Sequence, residues 1–166
     1  MKKFLVLLLP VMVFIGCKSY EPLPTVQDVD LIKYQGRWYE ITKIPNKFEK
    51  NLTKVQANYK VLPSGRIEVI NTGVNVNTGK LKRSVGEAKV NGPGRLGVTF
   101  FKPFYGDYYI IALDREYEWA LVGSPSREFL WILAREPNIS KELIIRLSDI
   151  ATENGFDVSR LEKMEQ

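Results

Sequence analysis

Lys54-Val55-Gln56-Ala57-Asn58-Tyr59-Lys60-Val61-Leu62 alternates apolar and polar residues, and Pro63-Ser64-Gly65 follows at once. Side chains along a strand point to opposite faces in turn. Val55, Ala57, Tyr59 and Val61 therefore share one face, and Gln56, Asn58 and Lys60 the other. Proline presets the backbone of a turn and glycine supplies its positive φ, so the chain doubles back there. The pattern is a hairpin arm with one buried and one wet face.

The same grammar repeats outward in both directions. Arg66 to Val76 forms the return arm, turned by Asn77-Thr78-Gly79, and Lys80 to Val90 follows, closed by Asn91-Gly92-Pro93-Gly94. Arg95 to Lys102, Tyr108 to Asp114, Glu118 to Gly123 and Phe129 to Arg135 come next, and Arg37 to Ile44 stands before them all. These segments predict an all-β fold. An eight-stranded up-and-down antiparallel barrel would remove both sheet edges. Eight strands also leave an interior for side chains or one small ligand. A sandwich is the competing architecture, but it usually needs longer crossovers.

One helix is expected after the strands. Ser140 can cap it, Glu142 suits its first turn, and Leu143, Ile144, Leu147, Ile150 and Ala151 recur at helical spacing. Asn154-Gly155 stops it, and Phe156 can pack back across the stop. A narrow apolar stripe beside an all-β chain predicts packing on the outside of the barrel. Phe156 to Leu161 offers a last short strand.

The chain contains no histidine. Histidine metal sites, haem ligation by histidine and Ser-His-Asp chemistry are excluded together. No cofactor or metal is called for. The formal charge of +5 falls to +3 once Lys2 and Lys3 leave with a leader. A mild, dispersed excess of that kind argues poorly for nucleic acid.

Met1-Lys2-Lys3, the apolar run Phe4 to Ile15 and small Gly16 have the layout of a secretory signal. Phe14-Ile15-Gly16-Cys17 resembles a bacterial lipoprotein lipobox. That resemblance implies cleavage after residue 16, lipidation of Cys17 and a membrane anchor through it. Two other origins remain open: an uncleaved anchor, for which the run is short, and an ordinary signal with a chance cysteine. Lys18 stands where an aspartate would retain a lipoprotein at the inner membrane, which implies the bacterial outer membrane. Residues 17–27, with Pro22 and Pro24, read as a tether, and residues 28–166 as the domain.

Three segments carry a family resemblance. Gly36-Arg37-Trp38 opens the first strand, Asp114-Arg115-Glu116-Tyr117 forms a late turn, and Arg135 ends the eighth strand. In this order they resemble the three signature regions of the lipocalins, over Asp28 to about Leu161. Trp38 would enter the barrel floor, and Arg135 would lay its guanidinium over the indole in a cation–π contact. Asp114 and Tyr117 would stabilise the turn at that end. The resemblance also places Tyr59, Asn71, Asn75 and Trp131 along a ligand cavity. By strand parity Phe129 and Leu133 share the face of Trp131, whereas Ile132 faces outward.

Aromatic walls with a few amides suit an apolar chain with a modest polar head. Fatty acids and lysophospholipids are the ligands that the resemblance implies. Pro45 to Thr53 should arch over the mouth, with Lys43, Lys47, Lys50 and Lys54 in or beside it, and Lys102 to Gly106 should join the rim. Some lipocalins are enzymes that use a cysteine inside the barrel, but the sole cysteine here belongs to the leader junction. No acid pair stands out at interior parity, and Arg83 and Glu87 suggest a salt-bridged strand face. The expectation is a non-catalytic carrier. The alternative is an envelope structural or interaction module with a filled barrel. A homodimer across an exposed barrel face stays open.

Overall fold

The computed structural model describes residues 20–166. Cys17 and the leader lie outside the described residues. A short helix, α1 (Leu31–Tyr34), precedes eight antiparallel strands: β1 (Gly36–Lys43), β2 (Leu52–Val61), β3 (Ile67–Asn75), β4 (Leu81–Gly92), β5 (Arg95–Phe101), β6 (Phe104–Leu113), β7 (Trp119–Gly123) and β8 (Leu130–Ala134). Each strand pairs with the next, and β1 pairs with both β2 and β8, which closes the barrel. The flank carries α2 (Lys141–Glu153), and β9 (Glu162–Lys163) pairs with Thr42 and Lys43 of β1.

Alternation splits the apolar residues into two cores. The inner one holds Trp38, Tyr59, Val69, Ala88, Val122 and Leu133 inside the barrel. The outer one packs Leu147 and Ala151 of α2 against the barrel wall, including Ile41, Leu121 and Ile132. Ile132 does face outward, but it is fully buried beneath the helix layer rather than wet. The Ser140 hydroxyl accepts the Leu143 N–H at 3.1 Å at the start of α2. The helix stops where Gly155 takes φ +84°, a conformation favourable to glycine.

Several local expectations change. The last strand is Glu162–Lys163, because Val158–Arg160 winds into a 3-10 turn. Strand β6 starts at Phe104 rather than Tyr108, so the rim connection there is a tight turn. Residues 20–27, expected within the tether, run along the barrel wall. Leu23 is buried in the outer core, and the Val26 N–H donates to the Ile110 carbonyl at 3.0 Å.

The N-terminal run crosses the barrel from end to end. Arg127, in the turn between β7 and β8 at the mouth, donates to the Glu21 carbonyl at 2.7 Å. At the floor the Asp30 N–H donates to the Tyr117 hydroxyl at 2.8 Å. Asp30 then caps α1 through the N–H groups of Ile32 and Lys33.

Candidate ligand-binding site

The floor is built around Trp38, which has no exposed surface. Its indole N–H donates to the Tyr34 carbonyl at 2.7 Å. The Arg135 guanidinium lies 3.8 Å from the centre of the indole. It donates to the carbonyls of Lys33 at 2.7 Å, Arg37 at 2.8 Å, Tyr117 at 3.1 Å and Tyr34 at 3.2 Å. Arg135 thus caps α1 and fixes it across the barrel end. Gly36 takes φ +93° where a Cβ would stand 3.4 Å from the Arg135 Nη1. Asp114 accepts the Glu116 N–H at 2.9 Å, and Tyr117 completes the turn at φ 62°.

Above the floor three tyrosines meet. The hydroxyls of Tyr34 and Tyr108 are 2.7 Å apart, and Tyr59 donates to Tyr108 at 3.0 Å. Burial pushes all three phenols upward. They stay neutral and act as hydrogen-bonding groups.

The interior continues toward the mouth through cross-strand neighbours. Trp38 faces Ala57, Ala57 faces Asn71 and Asn71 faces Ser84. Glu40 faces Leu133, and Lys43 faces Trp131. A bulge at Ile41 explains the pairing on β1. An extra residue in a strand shifts parity by one. Ile41 joins the outer core, while Glu40 and Lys43, three apart, both point inward. Strict alternation would have turned Lys43 outward.

A buried charge cluster results. The Lys43 ammonium stands 3.3 Å from the Glu40 Oε1 and 2.9 Å from the Glu49 Oε2. The same Glu49 oxygen accepts from the Asn46 amide at 3.0 Å and the Trp131 indole at 3.4 Å. Asn46 also accepts the N–H groups of Phe48 and Glu49, which shapes the loop. Burial, then repulsion from Glu49, raises the Glu40 carboxyl to about 8 against the pull of Lys43. Burial alone would depress the Lys43 ammonium, but the two carboxylates outweigh it and its pKa is raised.

Lys43 therefore belongs to the interior rather than the mouth loop, and an acid pair, Glu40 and Glu49, does stand inside. Sequence reasoning missed Lys43 because the bulge depends on pairing with β8, and it missed the acid pair because Glu49 comes from a loop, where strand parity does not apply. Glu40-x-x-Lys43 is a weak local signal for the bulge. On the outer wall, Glu87 pairs with Arg66 and Lys102 and accepts from Tyr105, so Arg83 is not its partner.

The expected cavity residues fall in distinct places. Trp131 is partly buried and stacks on Phe129, with ring centres 5.8 Å apart and planes at 9°. Leu133 and Tyr59 lie deeper, in the inner core. Asn75 sits at the rim, where its oxygen accepts the N–H groups of Asn77 at 3.0 Å and Thr78 at 3.1 Å. Asn71 is interior, and its Oδ1 is buried without a hydrogen-bond partner in the protein. Glu40 Oε1 likewise lacks a hydrogen bond of good geometry, although Lys43 is near. Buried polar atoms are nearly always satisfied in native proteins. Two clefts are formed, one of about 220 Å³ beside Gly86 of β4 and Phe100 of β5, and one of about 340 Å³ beneath Val29 and Leu31 near the floor.

The chain is thus a closed antiparallel barrel with a plugged floor and with polar groups set in an apolar interior. The lipocalin-like domain family matches residues 29–166, and the chain belongs to the lipocalins. It is 45% identical over 152 residues to the outer membrane lipoprotein Blc of Escherichia coli K12, covering 88% of this chain and 86% of that protein. It is 41% identical over 157 residues to mouse apolipoprotein D, covering 87% and 82%. Among solved structures, insecticyanin from the tobacco hornworm superposes with a TM-score of 0.73 at 20% identity, covering 89% of this chain and 86% of that one.

Proposed function

We propose that this chain is a lipid-anchored lipocalin of the bacterial outer membrane that binds, stores or transports apolar ligands such as fatty acids or lysophospholipids. It acts as a carrier and not as a catalyst. The family supports an apolar ligand, and the similarity to an outer membrane lipoprotein supports the compartment. The single observation that carries the ligand reading is Asn71 Oδ1, a buried acceptor without a partner, set on an inward face beside Ala57 and Ser84. Buried polar atoms are usually matched, so this oxygen supports a site that a ligand's polar group completes over a barrel filled by its own side chains. An apolar chain would lie against Trp131, Phe129 and Leu133, with its polar head toward the mouth. Residues 1–16 would be the removed leader and Cys17 the lipidated anchor.

Native mass spectrometry of the protein purified from membranes tests the carrier. The expected result is one small lipid per chain, released on unfolding. An empty barrel that takes up no lipid would favour the structural module instead. Cys17→Ser tests the anchor: the variant should leave the outer membrane fraction, and normal processing with unchanged fractionation would contradict it.

A further inference from the structure

Glu49 is bound as a ligand carboxylate would be. Its Oε2 collects the Lys43 ammonium at 2.9 Å, the Asn46 amide at 3.0 Å and the Trp131 indole at 3.4 Å. Lys43 is only 6% exposed, so its charge needs a partner. Glu49 belongs to the loop between β1 and β2, where Lys47, Phe48 and Lys50 are exposed. The backbone of that loop is held by the Asn46 turn, by the Leu52 N–H on the Glu49 carbonyl at 3.1 Å, by the Val76 N–H on the Asn51 carbonyl at 2.9 Å and by contact of the Phe48 and Phe129 rings, 6.2 Å apart. The Glu49 side chain can rotate away from Lys43 without breaking these contacts. We infer that Lys43 is the anion-binding group of the interior, and that Glu49 fills its site until a ligand carboxylate or phosphate displaces it.

This inference rests on the carrier reading. Its force is electrostatic: a second anion added beside Glu49 would share one ammonium, whereas exchange of one anion for another leaves the buried charge unchanged. A neutral head gains nothing from the exchange. Departure of Glu49 also removes the indole's acceptor and uncovers Trp131 for the acyl chain.

The test titrates the full chain with hexadecanoic acid, lysophosphatidylglycerol and hexadecan-1-ol. Glu49→Gln should tighten the binding of anions by about tenfold and leave the alcohol unchanged. Lys43→Met should reduce anion affinity to that of the alcohol. A response confined to the acid makes the head a carboxylate, and one confined to the lysophospholipid makes it a phosphate. If Glu49→Gln shifts all three ligands equally, or none, the exchange is overturned. Binding of none of the three by any form overturns the carrier reading itself, and this inference with it.

An independent set of observations concerns the rim. Six of the eleven large apolar side chains exposed among the described residues stand at the mouth: Phe48, Val76, Leu81, Phe100, Phe101 and Phe104. Lys47, Lys50, Lys54, Lys80, Lys82 and Lys163 are exposed around them, with Lys102 paired to Glu87, against the exposed acids Glu21, Glu128, Glu162 and Glu165. The N-terminal run is pinned at this same end, by Arg127 to the Glu21 carbonyl. Three residues separate Glu21 from Cys17, so the four Cα–Cα steps between them reach at most about 14 Å. We propose that the mouth rim docks on the anionic phospholipid surface to which Cys17 anchors the chain, the phenylalanines entering the interface and the lysines meeting phosphates.

The docked rim rests on the anchor reading and places the calyx opening against the lipid. Phe101→Trp and Ile32→Trp, at the rim and the floor, test it in the lipidated full chain reconstituted into phosphatidylglycerol-containing vesicles with brominated acyl chains. Emission from the added Phe101→Trp indole should shift blue and be quenched, and that from Ile32→Trp should be unaffected. Quenching at the floor only, or at neither position in vesicle-bound protein, overturns docking while sparing the anchor. Protein that stays off the vesicles overturns both.

Discussion

The two ends of the barrel interior use similar residues to opposite effect. At the floor, Arg135 donates to four main-chain carbonyls and covers the Trp38 indole, whose own N–H is also satisfied. Toward the mouth, the interior holds a buried lysine between two carboxyl groups, an amide oxygen without a partner and a partly exposed tryptophan. A saturated polar network rigidifies. An unsaturated one keeps capacity for a guest. On the proposed carrier reading the floor serves stability and the mouth half recognition, and the contrast can be broken from either side.

Removing the floor clasp should have the largest effect. Arg135→Ala leaves carbonyls of α1 without donors and uncovers the indole, so chemical denaturation should report a loss of about 3 kcal/mol. Ligand affinity should change by no more than about twofold. A stable variant with greatly weakened binding would move Arg135 into the ligand site and dissolve the contrast.

Next comes the pH dependence of the mouth cluster. Glu40 is held at about 8 in the fold against an ordinary value of 4.5. Between these values the unfolded chain has released the proton and the folded chain still holds it. Stability tied to that proton is complete below the ordinary value and lost as pH rises through about 8. Glu40→Gln cannot titrate. Its melting temperature should therefore rise relative to the parent with increasing pH, by an amount equivalent to about 1–3 kcal/mol, and level off above about pH 8. A pH-independent difference would mean that Glu40 is not buried as described.

Trp131→Ala should have a smaller effect on stability and a selective one on binding. Removing aromatic contact area should weaken fatty-acid binding by about tenfold, or about 1.4 kcal/mol, in isothermal titration. Equal loss in folding stability and affinity would show that Trp131 is packing and not recognition.

Much of the architecture was legible because it follows from local chemistry. Period-two alternation and Pro-Ser-Gly or Asn-Thr-Gly turns mark the strands, and Ser140 and Gly155 bracket α2. Gly36, Trp38 and Arg135 drew notice as a spaced set although they lie far apart in sequence. Helix α1 escaped because four residues carry no helical period; the Asp30 cap, the Arg135 clasp, the Trp38 indole on the Tyr34 carbonyl and the buried Tyr34 ring hold it. Lys43 escaped for a different reason. The bulge at Ile41 arises from pairing with β8, and one extra residue reverses the face of everything beyond it. Ile132 faces outward as parity indicates, but parity does not tell that α2 covers the outer face there.

The most direct measurement titrates the protein with a fatty acid brominated on its chain and follows tryptophan emission. Trp131 stands in the mouth half, Trp38 is sealed in the floor, and Trp119 packs toward Arg146 of α2 on the outer wall. Quenching should be saturable, persist in Trp119→Phe and largely vanish in Trp131→Phe. Quenching that does not saturate, or that survives intact without Trp131, would contradict a ligand site in the mouth half of the barrel.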